Sequence, residues 1–514
     1  MSQVTHDIVQ KLWNLCHVLR SDGVTYHQYV TELTYLLFLK MAKETGREDQ
    51  LPKGYRWDDL ETAAARADLD FYRALLIHLG SKDSQGSAIT RQIFASAGSF
   101  IRKPATLTSL VKAIDELDWY SARQEGLGDL YEGLLEKNAG ETKSGAGQYF
   151  TPRPLIDSIV KCIKPRLFET IQDPAAGTGG FLIAANHYLA EHADVSGLSV
   201  EEFQRYRRQF HGIELVLDAH RLALMNLMLH NLQSDGETGV RFGDTLSPDG
   251  EKLPPADLIV SNPPFGTAKG GGLPSRGDLR YPTANKQFAF LQHIYRNLKP
   301  GGRAAVVLPD NVLFEAGVGS DIRRDLMDKC NLHTILRLPT GIFYAQGVKT
   351  NVLFFQKGSP SDPQQDQGCT QRTWFYDMRS NMPSFGKRTP FGAAQLKPFE
   401  EAYGDDPNGN SPRAENVEGV GELSRFRCFT REFIRNERGD SLDISWLKDA
   451  DSLDSSDLPS PEVLAGEAMA ELTEALHELD ELMKALGAGD EVLAQKQLLA
   501  EMLGLEMVEV QGDE

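Results

Sequence analysis

Asp173-Pro-Ala-Ala-Gly-Thr-Gly-Gly-Phe181 follows a short apolar run and opens onto a helical pattern. Glycines at a strand-to-helix turn let a ligand approach the backbone closely, and the N-terminus of the helix beyond favours an anionic group such as a carboxylate. Taken alone, a glycine-rich turn equally describes a plain tight turn, so its meaning depends on what the neighbouring strand ends carry. The next apolar run ends at Glu214, where a carboxylate can accept both hydroxyls of a ribose. The one after it ends in Gly243-Asp244-Thr245, which places another acceptor over the same crevice. The fourth, Leu258-Ile259-Val260, feeds Asn262-Pro263-Pro264-Phe265. This run is too short for a helix and is stopped by two prolines, so it predicts a buried strand ending in a rigid loop. An amide (Asn262), a bare carbonyl (Pro263) and a flat ring (Phe265) at one strand end suit a planar substrate carrying an NH2 group. They offer two acceptors for its protons and a face to stack on.

Outward from these four strand ends the pattern alternates. Strand candidates lie at 168–172, 210–214, 240–243, 257–261, 304–308, 333–337 and 351–355, with helical segments at 180–191, 218–231, 288–298 and 322–330. Such alternation predicts an α/β domain with a doubly wound, mostly parallel sheet of seven strands and ligands at the carboxyl ends of the strands. Residues 1–140 read instead as an all-α domain: Ile8, Leu12, Leu15 and Leu19 repeat at helical spacing, and a dense apolar stretch runs from Tyr29 to Met41. A loop rich in Gly, Ser and Lys, 140–152, leads into the α/β domain, which is expected to span 141–440. Within it, 359–439 is rich in Pro, Gly and Asn, has little periodicity and carries 11 basic residues. The remainder, 441–514, begins its helix at Ser460-Pro461-Glu462 and places Ala465, Leu472, Leu479 and Leu486 seven residues apart. That seam fits either a partner-binding coiled coil or a helix packed on its own domain.

The 514 residues carry a formal charge of −19, which sits awkwardly with a nucleic-acid enzyme until it is mapped. From Asp440 to Glu514 there are 20 acids against 3 bases, a net of −17, which leaves −2 for the rest of the chain. Acidity belongs to the tail. Five scattered cysteines with no C-x-x-C pair fit neither a metal site nor a disulfide framework and point to a reducing cytoplasm. No basic-plus-apolar leader opens the sequence, and no apolar run approaches membrane-spanning length.

Asp-Pro-Ala-Ala-Gly-Thr-Gly-Gly-Phe followed by Asn-Pro-Pro-Phe resembles the S-adenosylmethionine-dependent amino-methyltransferases that modify adenine N6. Gln148-Tyr149-Phe150-Thr151-Pro152 is similar to their motif closing over the methionine end of the cofactor, and Gly341-Ile-Phe343-Tyr344 to the segment whose aromatic residue stacks on the target base. With its helical N-terminus and C-terminal helix, the whole chain resembles the modification subunit of type I restriction-modification systems. The resemblance implies a Rossmann-like fold and a cofactor site with Phe150, Thr151, Asp173, Gly177 and Gly179 around the methionine moiety, Glu214 on the ribose hydroxyls and Asp244 on the cofactor's adenine amine. Gln148, Tyr149, Ala175, Thr178 and Thr245 complete the implied cofactor-binding set. Asn262 and the Pro263 carbonyl would hold the target amine, with Phe265 and Phe343 stacking on the flipped base; adjacent Tyr344 is the alternative to Phe343. The implied partners are double-stranded DNA, a separate specificity subunit engaged through the C-terminal helix and N-terminal domain, a second copy of the chain, and a restriction or translocase subunit.

The residue types suit that chemistry. An exocyclic amine is a poor nucleophile because its lone pair is delocalised into the ring; two acceptors on its protons favour a more tetrahedral nitrogen. Positioning and electrostatics then matter more than a strong base. A base inside a duplex cannot reach such a pocket and must be flipped out. The loop 266–285, with glycines at 270–272 and Lys269, Arg276 and Arg280 against Asp278, is a candidate lid touching backbone phosphates, or else a plain surface loop. The rival readings are a free-standing adenine methyltransferase, a protein-glutamine or RNA-guanine methyltransferase, whose amines Asn-Pro-Pro-aromatic also serves, and a non-catalytic cofactor-binding protein.

Overall fold

The run Leu258-Ile259-Val260 lies near the middle of a nine-stranded sheet, with all three side chains fully buried. The computed structural model describes residues 3–447 except 21, 25, 126, 142–150, 233–238, 268–271, 344–347, 384, 387–388 and 415–423, together with Met469. Met1–Leu447 forms one unit and Lys448–Glu514 a second. The heptad seam falls outside the described residues.

The strands are β1 (Ile171–Asp173), β2 (Phe210–Glu214), β3 (Val240–Phe242), β4 (Ala256–Ser261), β5 (Leu298–Pro309), β6 (Cys330–Arg337), β7 (Thr350–Lys357), β8 (Arg372–Asp377) and β9 (Phe426–Thr430). Their spatial order is β3-β2-β1-β4-β5-β7-β6-β8-β9. The first five run parallel; β7 is antiparallel to both β5 and β6, β8 is parallel to β6, and β9 is antiparallel to β8. The order reverses between β1 and β4, which opens a crevice at their carboxyl ends. Asp173 ends β1 and Asn262 follows β4, so the topology alone brings the glycine turn and the Asn-Pro-Pro-Phe loop side by side.

The sheet is covered on both faces, which is why its strands read as continuous apolar runs. Along β5, Ala305 and Val307 join one apolar cluster, while Ala304, Val306 and Leu308 join the other. The third cluster is the helical N-terminus, where Leu33, Leu36 and Leu37 of helix Tyr26–Glu44 are fully buried. One helix serves two cores: Leu217–Leu229 gives Leu224, Met225 and Met228 to the N-terminal cluster and Ala223 and Leu227 to the sheet. Its Arg221 also donates to the Ile93 and Ala95 carbonyls at 2.6 and 2.9 Å. The change in composition near residue 140 thus marks a change of secondary-structure class within one packed unit.

The seven expected strands all form, and two more extend the sheet. β8 and β9 lie within 359–439, the stretch whose sequence carries little periodicity. Helix Ala393–Tyr403 also falls there and holds Pro398 in its interior, which removes an N–H and obscures the helical pattern. The basic residues of this stretch largely tie the fold together. Arg379 makes a two-pronged contact with Asp310 at 2.6 and 2.9 Å, Arg413 donates to the Tyr403 carbonyl at 3.0 Å, and Arg425 donates to the Ser380 carbonyl at 2.8 Å.

Candidate functional site at the carboxyl ends of the strands

Each strand end is braced against the next by a side chain that sequence reading assigned to ligand binding. Asp173 Oδ1 accepts from the Ala175 N–H at 3.1 Å and from Ser261 Oγ at 2.7 Å, joining the ends of β1 and β4. Burial pushes its carboxyl up to about 7, despite those two hydrogen bonds, and the charge of Glu214 adds to the effect. Glu214 accepts from the Gly177 N–H at 2.8 Å through Oε2 and from the Val216 N–H at 2.7 Å through Oε1. Burial raises this carboxyl too. The carboxylate keeps acceptor capacity for a ligand hydroxyl. Gly177 and Gly179 have φ of 55° and 82°, left-handed values that carry the chain from β1 into helix Gly180–His192. Thr245 Oγ1 donates to the Pro174 carbonyl at 2.5 Å, Asn226 Nδ2 to the Thr178 carbonyl at 3.1 Å, and Asp244 Oδ1 accepts from the Leu246 N–H at 2.9 Å.

Asn262 Nδ2 donates to Thr151 Oγ1 at 2.9 Å, which fixes the plane of the amide. Its Oδ1 is buried with no hydrogen-bond partner. A buried acceptor left bare costs roughly 1–3 kcal/mol, an arrangement that persists where a ligand completes it. Pro263 is buried behind it. Beyond Phe265 the loop is closed by Gly266, whose N–H donates to Gln287 Oε1 at 2.9 Å and whose carbonyl accepts from the Lys286 N–H at 3.0 Å.

These residues open onto one cavity of about 1340 Å3, lined by Thr151, Asp173, Gly177, Glu214, Asp244 and Asn262 among others. Leu215 and Val216, which follow Glu214 on its rim, are 58% and 55% exposed, an apolar surface suited to a flat ring. Another wall comes from the N-terminal part. Helix Leu127–Glu141 of the N-terminal part contributes Glu132, Leu135 and Glu136, and Ala393 and Lys397 close another side. Burial pushes Glu132 up to about 7, against the pull of Arg153, which bonds it at 2.6 Å and Asp157 at 3.0 Å. No local motif marks this helix as part of a site; only the tertiary fold brings it there.

Phe265 is half-buried against the same apolar cluster that holds Phe343, and Phe343 is only 5% exposed. Thr178, Ala175 and Thr245 line the cavity with the other turn residues. Gln148, Tyr149, Phe150, Tyr344 and Lys269 lie outside the described residues. Arg276 does not face outward as a phosphate contact would. It is 8% exposed, forks onto Asp278 at 2.6 Å through Nε and Nη2, and donates to the Thr245 carbonyl at 2.8 Å. Arg280 is exposed and reaches Asp325 at 3.5 Å. Among the described residues no helix is long and apolar enough to cross a membrane.

Three comparisons bear on this geometry. The family described as N-6 DNA Methylase matches residues 122–424, the HsdM N-terminal domain matches 8–117, and the C-terminal domain of type I restriction enzyme methylase subunits matches 458–501. The chain is 54% identical to the StySPI type I restriction enzyme methylase subunit of Salmonella potsdam, covering 97% of this chain and 99% of that one. It is 53% identical to the EcoKI methylase subunit of Escherichia coli K12 over the same shares. The crystal structure of the EcoKI M protein superposes with a TM-score of 0.57 at 49% identity, covering 96% of this chain and 99% of that one.

Proposed function

The chain belongs to the methylase subunits of type I restriction enzymes, and on that premise we propose S-adenosylmethionine as the ligand of its cavity and Asn262 with the Pro263 carbonyl as the holders of the target amine. As a member of that family it is an adenine-specific N6 DNA methyltransferase acting as a modification subunit. The residues fit the cofactor: Gly177 and Gly179 leave room against the backbone, Glu214 retains acceptor capacity for ribose hydroxyls, and Leu215 and Val216 offer an apolar face beside Asp244. When bound, S-adenosylmethionine supplies an electrophilic methyl group on a sulfonium.

The observation that carries the target-amine assignment is the bare Oδ1 of Asn262, held by Thr151 in a buried, fixed orientation. Oδ1 and the Pro263 carbonyl accept the two protons of the exocyclic amine and favour a tetrahedral nitrogen. Phe265 stacks on the flipped base, and Phe343, the assigned opposing ring, belongs to the cluster against which Phe265 packs. Preorganised acceptors of this kind act by electrostatics and alignment, with no covalent intermediate. Thr151 lines the cavity and is assigned to the methionine moiety; Gln148, Tyr149 and Phe150 are assigned to it by motif alone.

Residues 1–140, 141–440 and 441–514 are taken as a helical N-terminal domain, the methyltransferase domain and an acidic partner-binding tail. DNA is the substrate; a specificity subunit reads its sequence and engages the tail and the N-terminal helices. A second copy of the chain and a restriction subunit complete the assembly in the cytoplasm. The deciding assay is transfer of labelled methyl from S-adenosylmethionine to DNA by the purified chain, alone and with co-purifying partners. Adenine N6 labelling only with a partner supports the reading; sequence-specific labelling by the chain alone overturns the separate reader, and no binding of S-adenosylmethionine overturns the cofactor assignment.

A further inference from the structure

Helix Leu127–Glu141 meets helix Gly180–His192 and the end of helix Leu217–Leu229 beside the cavity, and three metal-ligand side chains converge there. Asp129 comes from the first helix, His187 from the second, and His230 caps the third. His187 Nε2 lies 3.1 Å from His230 Nδ1 and 3.8 Å from Asp129 Oδ1, and all three ligand atoms fall within 4.8 Å of one another. Tetrahedral coordination at about 2.0–2.1 Å per bond sets neighbouring ligand atoms roughly 3.4 Å apart. Side-chain adjustments of about an ångström or less would bring the group to that spacing. We propose that Asp129, His187 and His230 bind a divalent transition ion of the zinc class, clipping the N-terminal helices to the methyltransferase sheet.

Two further observations support a built site. The His230 ring lies directly on the backbone of Gly128, where a Cβ would sit 2.5 Å from two of its atoms. That contact fixes the ring with Nδ1 toward His187. The wall also carries further carboxyl groups. Glu132, Glu136 and Asp157 line the cavity with Asp129, and Arg153 pairs with Glu132 and Asp157. An imidazole–carboxylate set selects zinc, nickel, copper or cobalt over magnesium or calcium. Coordination through His187 Nε2 moves that ring's proton to Nδ1, where Arg153 now lies at 3.3 Å. The guanidinium would then turn fully to Glu132 and Asp157, which it already holds.

Cobalt(II) is the probe, added to the chelator-stripped full-length chain. The expected result is one equivalent bound, with the visible d–d absorption of a four- or five-coordinate nitrogen–oxygen site, displaced by zinc. His187→Gln and His230→Gln should each weaken binding at least about tenfold. Zinc should raise the melting temperature of the unaltered chain but not of Asp129→Asn, a partly exposed position whose change leaves the cores untouched. Should a histidine variant fail to fold, Gly128→Ala displaces the His230 ring and must also lose the cobalt spectrum. Absence of a one-equivalent site in the unaltered chain overturns the proposal. So does binding that survives these substitutions, since it then belongs to other side chains. Methyl transfer is measured separately, so neither result is confounded with the cofactor assignment.

Discussion

Arg276 Nη1 donates to the Thr245 carbonyl at 2.8 Å, and this contact joins the loop after Asn262-Pro-Pro-Phe to the strand end that carries Asp244. The same nitrogen lies 2.9 Å from His293 Nδ1, and burial holds His293 at about 3, so the ring is neutral and accepts. A second tie runs alongside, from the Ser275 N–H to the Leu246 carbonyl at 3.1 Å. The loop beside the target pocket and the turn assigned to the cofactor's adenine are therefore one braced unit.

Arg276→Lys tests that brace. Lysine offers a point charge where arginine forks onto Asp278 and Thr245 together. Cofactor affinity should fall several-fold, about 1 kcal/mol, although the residue is assigned no contact with the cofactor. Calorimetric titration with S-adenosylmethionine reads this directly; an unchanged Kd would mean the two loops are independent.

Asn262→Ala should lower methyl transfer by about 10²-fold or more and leave the cofactor Kd nearly unchanged, because the amide acts on the amine. Thr151→Val removes the acceptor that orients the amide, and a loss of about tenfold in kcat is expected beyond any change in cofactor Kd, since Thr151 is also assigned to the methionine side of the cofactor. Single-turnover rates on a fixed DNA substrate separate these effects from binding. Turnover near that of the unaltered enzyme in the alanine variant would remove Asn262 from the chemistry.

The stability of the cofactor-free protein should decline as pH rises from about 4 to 7. Burial raises the Asp173 carboxyl from its ordinary 3.8 to about 7, so between those values the folded chain holds a proton that the unfolded chain has lost. The stabilising difference is present below the lower value and is gone above the upper one. Glu132 shifts to about 7 in the same sense, so Asp173→Asn should flatten the slope in part. Melting temperatures across this window check it; an identical slope in the variant would show that Asp173 is ionised throughout.

Removing residues 458–514 deletes the segment matched by the C-terminal domain of type I methylase subunits. The complex with a specificity subunit should weaken by at least tenfold, while affinity for S-adenosylmethionine stays within about twofold. Gel filtration and titration of the truncated chain distinguish the two; an intact complex would remove this segment from partner binding.

Much of the site was legible in order along the chain. Asp173 to Gly179, Glu214, Asp244 and Asn262 each end or follow a strand, and short apolar runs broken by Gly or Pro are local signals. A parallel sheet with a reversal in strand order then carries those ends to one crevice, so the residues proposed for the cofactor and the target amine could be placed together without coordinates.

Other features depend on contacts between residues far apart in sequence. β8 and β9 are far apart in sequence, with helix Ala393–Tyr403 between them, and are stabilised by pairing with β6 and with each other, which no local period announces. Arg276 reads as a candidate phosphate contact in a glycine-rich loop, but the fold surrounds it with Asp278, His293 and the Thr245 carbonyl. Thr151 meets Asn262 across 111 residues, and helix Leu127–Glu141 becomes a wall of the cavity because helix Leu217–Leu229 packs on both cores. Periodicity and turn chemistry are written in neighbouring residues, so the sequence by itself determined the strands and the motifs at their ends. Burial and pairing of polar groups belong to the closed chain, so only the tertiary structure decided which charges face a ligand and which hold the protein together.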